Sequence, residues 1–436
     1  MEDQAAPSPQ LELDTQDLLS LEGMQPLESS HISQSPQQPH ILSDFDFIPE
    51  AQVSPQQDEV QDMRVAQPEQ QTHPVHWEQE LLDSLLAKQS QVVPGAPVGS
   101  SAVEGPMKRK MQEYKGPGTN RIVEIQTNAM RVPCKISCRI IGNLESSVNP
   151  LVIVHGGPGY AHEYLLPLAE LAMPEQSRQP RPLVFYDQMG CGGSAMPESR
   201  LRDDRFWVVK NFAEELDRVL FELGLKNRSI DVYGHGWGGI VAIEWAALFN
   251  KTMSKSGQPH LNHLILSNCP ARADLWEASL TELGLRERTR LGYDNASGKG
   301  EGEKEWQDFM SIFYKRHLSL ARRWPASEVK SAFDNLDDHQ TAYDYIWGSE
   351  DFHITGTLKG WEAKVEPLNK PRSSISTLLI NGSDDMIQDH AIQPLFNRLK
   401  KVKWIKINDA AHMSHIDQRE EYLDQLRNFL DIPCKE

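Results

Sequence analysis

The chain has 436 residues and a formal net charge of −18, and that charge is not spread evenly. Residues 1–106 hold 18 acidic and 2 basic side chains, or −16, which leaves 44 acidic against 42 basic in the remainder. A near-neutral remainder gives no reason to expect a nucleic-acid partner, and no apolar run approaches the ~20 residues of a membrane span, so no membrane is expected either.

The first residues are acidic, without a basic stretch followed by an apolar one, so no secretory signal is expected. The five cysteines are Cys134, Cys138, Cys191, Cys269 and Cys434. Their number is odd and their spacing fits no metal site, so the expectation is a reduced chain in the cytoplasm, or the nucleus, with no metal and no cofactor.

Residues 1–117 are rich in Gln, Pro, Ser and acid, as in Ser33-Gln34-Ser35-Pro36-Gln37-Gln38-Pro39. Such a segment buries too little apolar area to offset its chain entropy, which predicts a disordered acidic tail. Three apolar islands interrupt it. The last, Trp77, Leu81, Leu82, Leu85 and Leu86, makes one helical face flanked by acid. Islands of this kind resemble segments that recruit a protein partner; the plainer alternative is a solvated tail. A start at Met107 or Met111 would remove it altogether.

From Ile122 the pattern changes. Residues 122–127 and 132–141 alternate like antiparallel strands. Short apolar runs follow at 151–154, 183–186, 230–233, 263–267, 376–380 and 402–407. Helical patterns lie between or after them at 206–225, 240–249 and 420–430. Apolar strands alternating with helices predict an α/β fold with a mostly parallel central sheet covered on both faces. The alternation stops over 271–372, which predicts a helical cap inserted into a core of 118–270 and 373–436. Within the cap, 292–303 reads as a mobile Gly-rich loop.

Three strand ends carry motifs. His155-Gly156-Gly157-Pro158-Gly159 follows the first apolar strand, where glycines let backbone N–H groups approach a ligand, as in the oxyanion loop of α/β-hydrolases. Asp187-Gln188-Met189-Gly190-Cys191-Gly192-Gly193-Ser194 follows the next. Gly234-His235-Gly236-Trp237-Gly238-Gly239 lies between a strand and a helix with small flanking residues, as a nucleophile elbow requires. Its central residue should be Ser and is Gly236. Glycine keeps the turn and deletes the only hydroxyl that could attack. His235, beside it, is expected to point elsewhere. Further on, Asn381-Gly382-Ser383-Asp384-Asp385 and Asp409-Ala410-Ala411-His412 each follow a strand. The order nucleophile, acid, base is the one this fold uses. The resemblance to these hydrolases, through their Gly-x-x-Asp pattern, implies Asp385 as the acid in preference to Asp384, and His412 as the base with His415 a neighbouring decoy.

On these motifs residues 118–432 resemble the proline iminopeptidases, serine peptidases of the α/β-hydrolase superfamily. The resemblance implies backbone N–H groups of Gly157 and Trp237 as oxyanion donors, with His155 and Gly156 lining the substrate site. In the cap, Trp347-Gly348-Ser349-Glu350-Asp351-Phe352-His353 resembles the segment that supplies an acid for the substrate's free α-amine. That implies Asp351, with Glu350 beside it. The family's second amine-binding Glu follows the acid of the triad, where this chain has Met386.

Two readings follow. One is a proline iminopeptidase-like aminopeptidase or amidase, acting on a peptide or an amino-acid amide or ester and impaired by Gly236. The other is a non-catalytic protein that binds a ligand in the cap pocket and recruits partners through the tail.

Overall fold

The computed structural model describes residues 118–431, apart from 131, 175–176, 178, 195–202, 204, 226–227, 250–259, 294–301 and 371–374. The predicted tail and most of the predicted Gly-rich loop of the cap lie outside the described residues.

Eight strands form one sheet in the order β1-β2-β4-β3-β5-β6-β7-β8. They are β1 (Thr119–Ile125), β2 (Cys134–Ile141), β3 (Leu151–Val154), β4 (Leu183–Tyr186), β5 (Ser229–His235), β6 (His260–Ser267), β7 (Ser376–Gly382) and β8 (Val402–Ile407). β1 and β2 are antiparallel to their neighbours, and from β4 to β8 every pairing is parallel. β3 and β4 are buried at all four residues, as parallel strands covered on both faces must be.

The chain runs from β3 outward to β4 and then returns to β5 on the other side of β3. The order therefore reverses between β3 and β5, whose carboxyl ends open into one crevice. Val154 pairs with Gly234 across it, so the His155–Gly159 loop and the Gly236 turn are neighbours by sheet register.

Helix Trp237–Leu248 is buried along nearly its whole length, which fits a helix that is apolar all round. Gly238 and Gly239 lower its helix propensity, and the sequence pattern accordingly reads as helical only from Ile240. Helix Val209–Glu222 stops before Gly224, whose φ of +74° ends it in the left-handed region. Two elements have no clear pattern in the sequence: the 3-10 segment His162–Ala172 and helix Asp389–Arg398. Each contains a proline, Pro167 and Pro394, which interrupts the helical signal.

Between β6 and β7 the described residues form four α-helices, Ala273–Leu291, Glu303–His317, Ser327–Asp338 and Gln340–Ile346, and the short 3-10 turn Glu366–Asn369. Tyr345 of this cap stacks on Trp207 of the core at 5.9 Å and 9°, and Thr357 Oγ1 donates to the carbonyl of Trp207.

A buried polar network ties the sheet to the closing helix Arg419–Leu430. Asp231, fully buried in β5, accepts from Arg181 Nη1 at 2.7 Å, and its other oxygen faces the backbone N–H and Nδ1 of His263. Arg181 Nη2 donates to the carbonyl of Leu430 at 3.1 Å. Removing the carboxylate would strand a buried guanidinium. We expect Asp231→Ala to cost about 3–5 kcal/mol, read as a lower urea midpoint. A loss under about 1 kcal/mol would show that the network does not hold the sheet.

Candidate active site

Gly236 has φ +52° and ψ −116°, a conformation that L side chains rarely adopt and glycine takes at little cost. It is held by sheet-like bonding: its N–H donates to the carbonyl of Ser267 at 2.9 Å. A Cβ placed on it would lie 3.3 Å from Nε2 of His412. The sharp turn that a nucleophile needs is intact, and His412 stands over it.

His412 Nδ1 lies 2.8 Å from Asp385 Oδ1. A carboxylate accepts, so Nδ1 carries the proton and Nε2 is left as an acceptor toward Gly236. Asp385 is 3% exposed and held from three sides. Oδ1 also accepts from the N–H of Ile387 at 2.9 Å, and Oδ2 accepts from Asn268 Nδ2 at 2.7 Å. Asp384 is exposed and bonds to Ser383, whereas Asp385 is the acid that reaches His412. Asn268 is the residue that sequence reasoning misses. It has φ +51°, which Asn tolerates better than most residues, and an Asn straight after β6 is the one signal for it.

The oxyanion loop is fastened to the elbow by Gln188. Its backbone N–H donates to His155 Nε2 at 2.9 Å, its side-chain amide donates to the carbonyl of His155 at 2.7 Å, and Trp237 Nε1 donates to its Oε1 at 2.8 Å. His155 Nδ1 faces the carbonyl of Gly156 at 2.9 Å. Both nitrogens of His155 are therefore occupied within the protein. The ring is fully buried and shapes the loop. Gly156 is likewise committed, since its N–H donates to Tyr164 Oη at 2.7 Å. Gly157 follows in the same loop. Trp237 opens its helix, so its N–H is one of those without an intrahelical partner.

His235 points away from the turn, as its position suggests. Its Nε2 lies 3.0 Å from the carbonyl of His412 and must donate, so Nδ1 accepts from Tyr164 Oη at 2.9 Å. His415 is fully buried and donates from Nε2 to the carbonyl of Tyr164 at 3.1 Å. The Asp187 run has a structural part. Asp187 Oδ1 accepts from His162 Nδ1 at 2.7 Å and Oδ2 from the N–H of Gly193 at 2.9 Å. Burial raises its carboxyl, but His162 outweighs this and holds it down to about 2. Among the described residues, His162, Glu163 and Asp187 are grouped closely enough to hold a metal, yet two of the three already form this ion pair.

In the cap, Asp351 Oδ2 accepts from Trp306 Nε1 at 2.6 Å. Desolvation pushes the Asp351 carboxyl upward, the nearby Glu350 charge adds to this, and Trp306 opposes it. Asp351 and Glu350 line a cavity of about 430 Å³ with Trp306, Phe352, Arg288 and Leu285. Gly236, Asp385 and His412 are not among its walls. Met386 is buried, next to Asp385.

Residues 151–425 match the family model described as "Alpha/beta hydrolase family". The chain belongs to the alpha/beta hydrolase family. It is similar to the proline iminopeptidase of Lactobacillus crispatus (27% identical over 298 residues, 67% of this chain and 93% of the relative). It is also similar to that of Saccharolobus solfataricus (28% over 292 residues, 66% and 86%). The crystal structure of proline iminopeptidase from Mycobacterium smegmatis superposes with a TM-score of 0.58 at 25% identity, over 71% of this chain and 97% of that one. The fold of VinJ is also shared, with a TM-score of 0.59 at 24% identity over 72% and 99%. This hydrolase is thus proline iminopeptidase-like.

The buried histidines give the hydrolase a testable acid sensitivity. Burial drives His155 down to about 4 and His415 down to about 3, and pushes His235 well below its ordinary range. Unfolded, each binds a proton below about pH 6.5, whereas folded they stay neutral. The unfolded state therefore gains protons first, and stability falls as pH drops from 6.5 toward 4. We expect a loss on the order of 1 kcal/mol per pH unit per histidine, read by urea titration at several pH values. A flat profile across that window would show that the rings are charged in the folded chain.

Proposed function

We propose that this chain carries a proline iminopeptidase site whose acid, base and oxyanion groups remain and whose nucleophile is missing. The observation that carries this is His412, its Nδ1 turned to Asp385 at 2.8 Å and its Nε2 set 3.3 Å from where a Cβ would stand on Gly236. With a serine there, the hydroxyl would attack a carbonyl carbon and His412 would take its proton. Asp385 would orient the ring and steady its positive charge, and the N–H groups of Gly157 and Trp237 would bind the oxyanion. With glycine no acyl-enzyme forms. Loss of such a nucleophile costs about 10⁶ in kcat, or roughly 8 kcal/mol of barrier.

The substrate class is a peptide, or an amino-acid amide or ester, with a free N-terminal residue of the proline type. Met386 in place of a second acid weakens the hold on the amine and leaves Asp351 to supply it. A second reading is a ligand-binding protein without turnover. The charged and aromatic cap cavity around Asp351 supports it, since a ligand there needs nothing from Gly236.

Arylamide hydrolysis tests the main reading. Gly236→Ser should gain up to about 10⁶-fold in kcat over the parent chain and accept a serine-directed fluorophosphonate, while His412→Ala in that background should abolish both. Parental turnover equal to that of the Ser variant would overturn it.

The same variant should be less stable. A serine forced to φ +52° stores about 1–3 kcal/mol of strain, which should appear as a lower thermal midpoint. An unchanged or raised midpoint would mean that the turn relaxes to admit the side chain.

A further inference from the structure

Asp385 and His412 sit on separate loops, and one cap residue touches both loops. Helix Glu303–His317 ends against them. The carbonyl of His317 accepts the N–H of Met386 at 3.2 Å and the N–H of His412 at 3.1 Å. A carbonyl oxygen has two lone pairs, and here each loop takes one. The ring contributes a third tie. Its Nδ1 lies 2.9 Å from the carbonyl of Asp384, which can only accept, so Nδ1 carries the proton and donates. The following residues extend the seam. The N–H of Met413 donates to the carbonyl of Leu318 at 2.7 Å. Ser319 Oγ donates to Asp417 Oδ1 at 2.5 Å, and Asp417 Oδ2 accepts the N–H of Ala411 at 2.8 Å. His317, Leu318 and Ser319 are all buried.

We propose that His317 is a positioning residue for the Asp385–His412 pair, its carbonyl and ring together setting the separation of the acid loop and the histidine loop. The inference rests on the reading of that pair given above. A 2.8 Å hydrogen bond between groups on two loops survives only if neither loop drifts by more than a few tenths of an ångström. β7 and β8 hold the bases of the loops, and His317 supplies a bond at the far end of each.

The ring itself is held in a defined state. Glu287 Oε1, from helix Ala273–Leu291, lies 3.9 Å from Nε2, and Arg286 of that helix and Arg316 of its own helix also face the ring. Phe313 packs on it at 5.0 Å. Burial, reinforced by the two arginines, outweighs Glu287 and the Asp384 carbonyl and leaves the ring neutral. Nε2 has no hydrogen-bond partner, so the proton stays on Nδ1, toward Asp384.

Two variants separate positioning from mere packing. The side-chain amide of His317→Asn puts a donor near Nδ1, whereas that of His317→Gln puts it near Nε2. In the parent chain, proton NMR should show the His412 Nδ1–H as a slowly exchanging low-field resonance. We expect His317→Asn to keep it and His317→Gln to lose it to solvent exchange. Built into Gly236→Ser, His317→Gln should lower kcat about 10–100-fold with KM nearly unchanged, and His317→Asn should restore most of it. The parent resonance persisting unshifted in a folded Gln variant would overturn the proposal. Should that variant not fold, amide exchange in the parent decides. Met386 and His412 should exchange slowly and together, and rates differing by more than about a hundredfold would show that no common tie holds them. The NMR arm stands without turnover, so an inactive Gly236→Ser chain would count against the proposed reaction and not against His317.

Discussion

Everything at this site depends on how closely two backbones cross. Behind the elbow, a Cβ on Gly238 would run into the carbonyls of Val154 and His155, so helix Trp237–Leu248 starts in direct contact with the end of β3. That contact brings the oxyanion loop and the elbow together, and Gln188 then bonds to both. A larger residue at 238 would push the two apart by more than a hydrogen bond can span. The glycines flanking the elbow are therefore needed for approach, whereas Gly236 is different in kind. A Cβ there would meet only the His412 ring tightly, at 3.3 Å, with the nearest backbone atom 3.9 Å away, so a shift of a few tenths of an ångström in that ring would admit it.

This separation lets the turn carry a glycine while the surrounding groups keep their shape. Asp385 is held by Asn268, Ile387 and His412, and none of these bonds passes through Gly236. His235 and Tyr164 link the carbonyl of His412 to the N–H of Gly156 by a path that also bypasses it. A buried carboxylate must have partners to avoid a heavy desolvation cost, and those partners are the surrounding fold. The dyad is thus maintained by stability requirements, whatever chemistry it performs. A side chain at position 236 would have no part in those bonds.

The cap is bound to this arrangement at more than its surface. Tyr345 rests on Trp207 from above, while the seam from His317 to Ser319 runs beside the loop that carries His412. The acids of the cap lie differently. Asp351 and Glu350 face a cavity with no wall from the dyad, and Asp351 is already engaged by Trp306.

Much of this was legible in the residues alone. The short apolar runs at 151–154 and 183–186, set between helical patterns, pointed to strands buried on both faces, and the motifs at strand ends pointed to the alpha/beta hydrolase family. That position 236 is glycine is purely a matter of sequence, since no fold can supply a hydroxyl that the side chain lacks. Three-dimensional packing decided what sequence distance hides. Asp385 differs from Asp384 because one turns inward to Asn268 and the other to solvent. His155, promising as a ligand group, is used up by Gln188, 33 residues away. Asn268 lies 117 residues from the carboxylate it holds, and His317 lies 67 residues from Asp384 and 95 from His412. Hydrogen bonds over such separations follow from sheet order and helix placement, which local patterns do not encode.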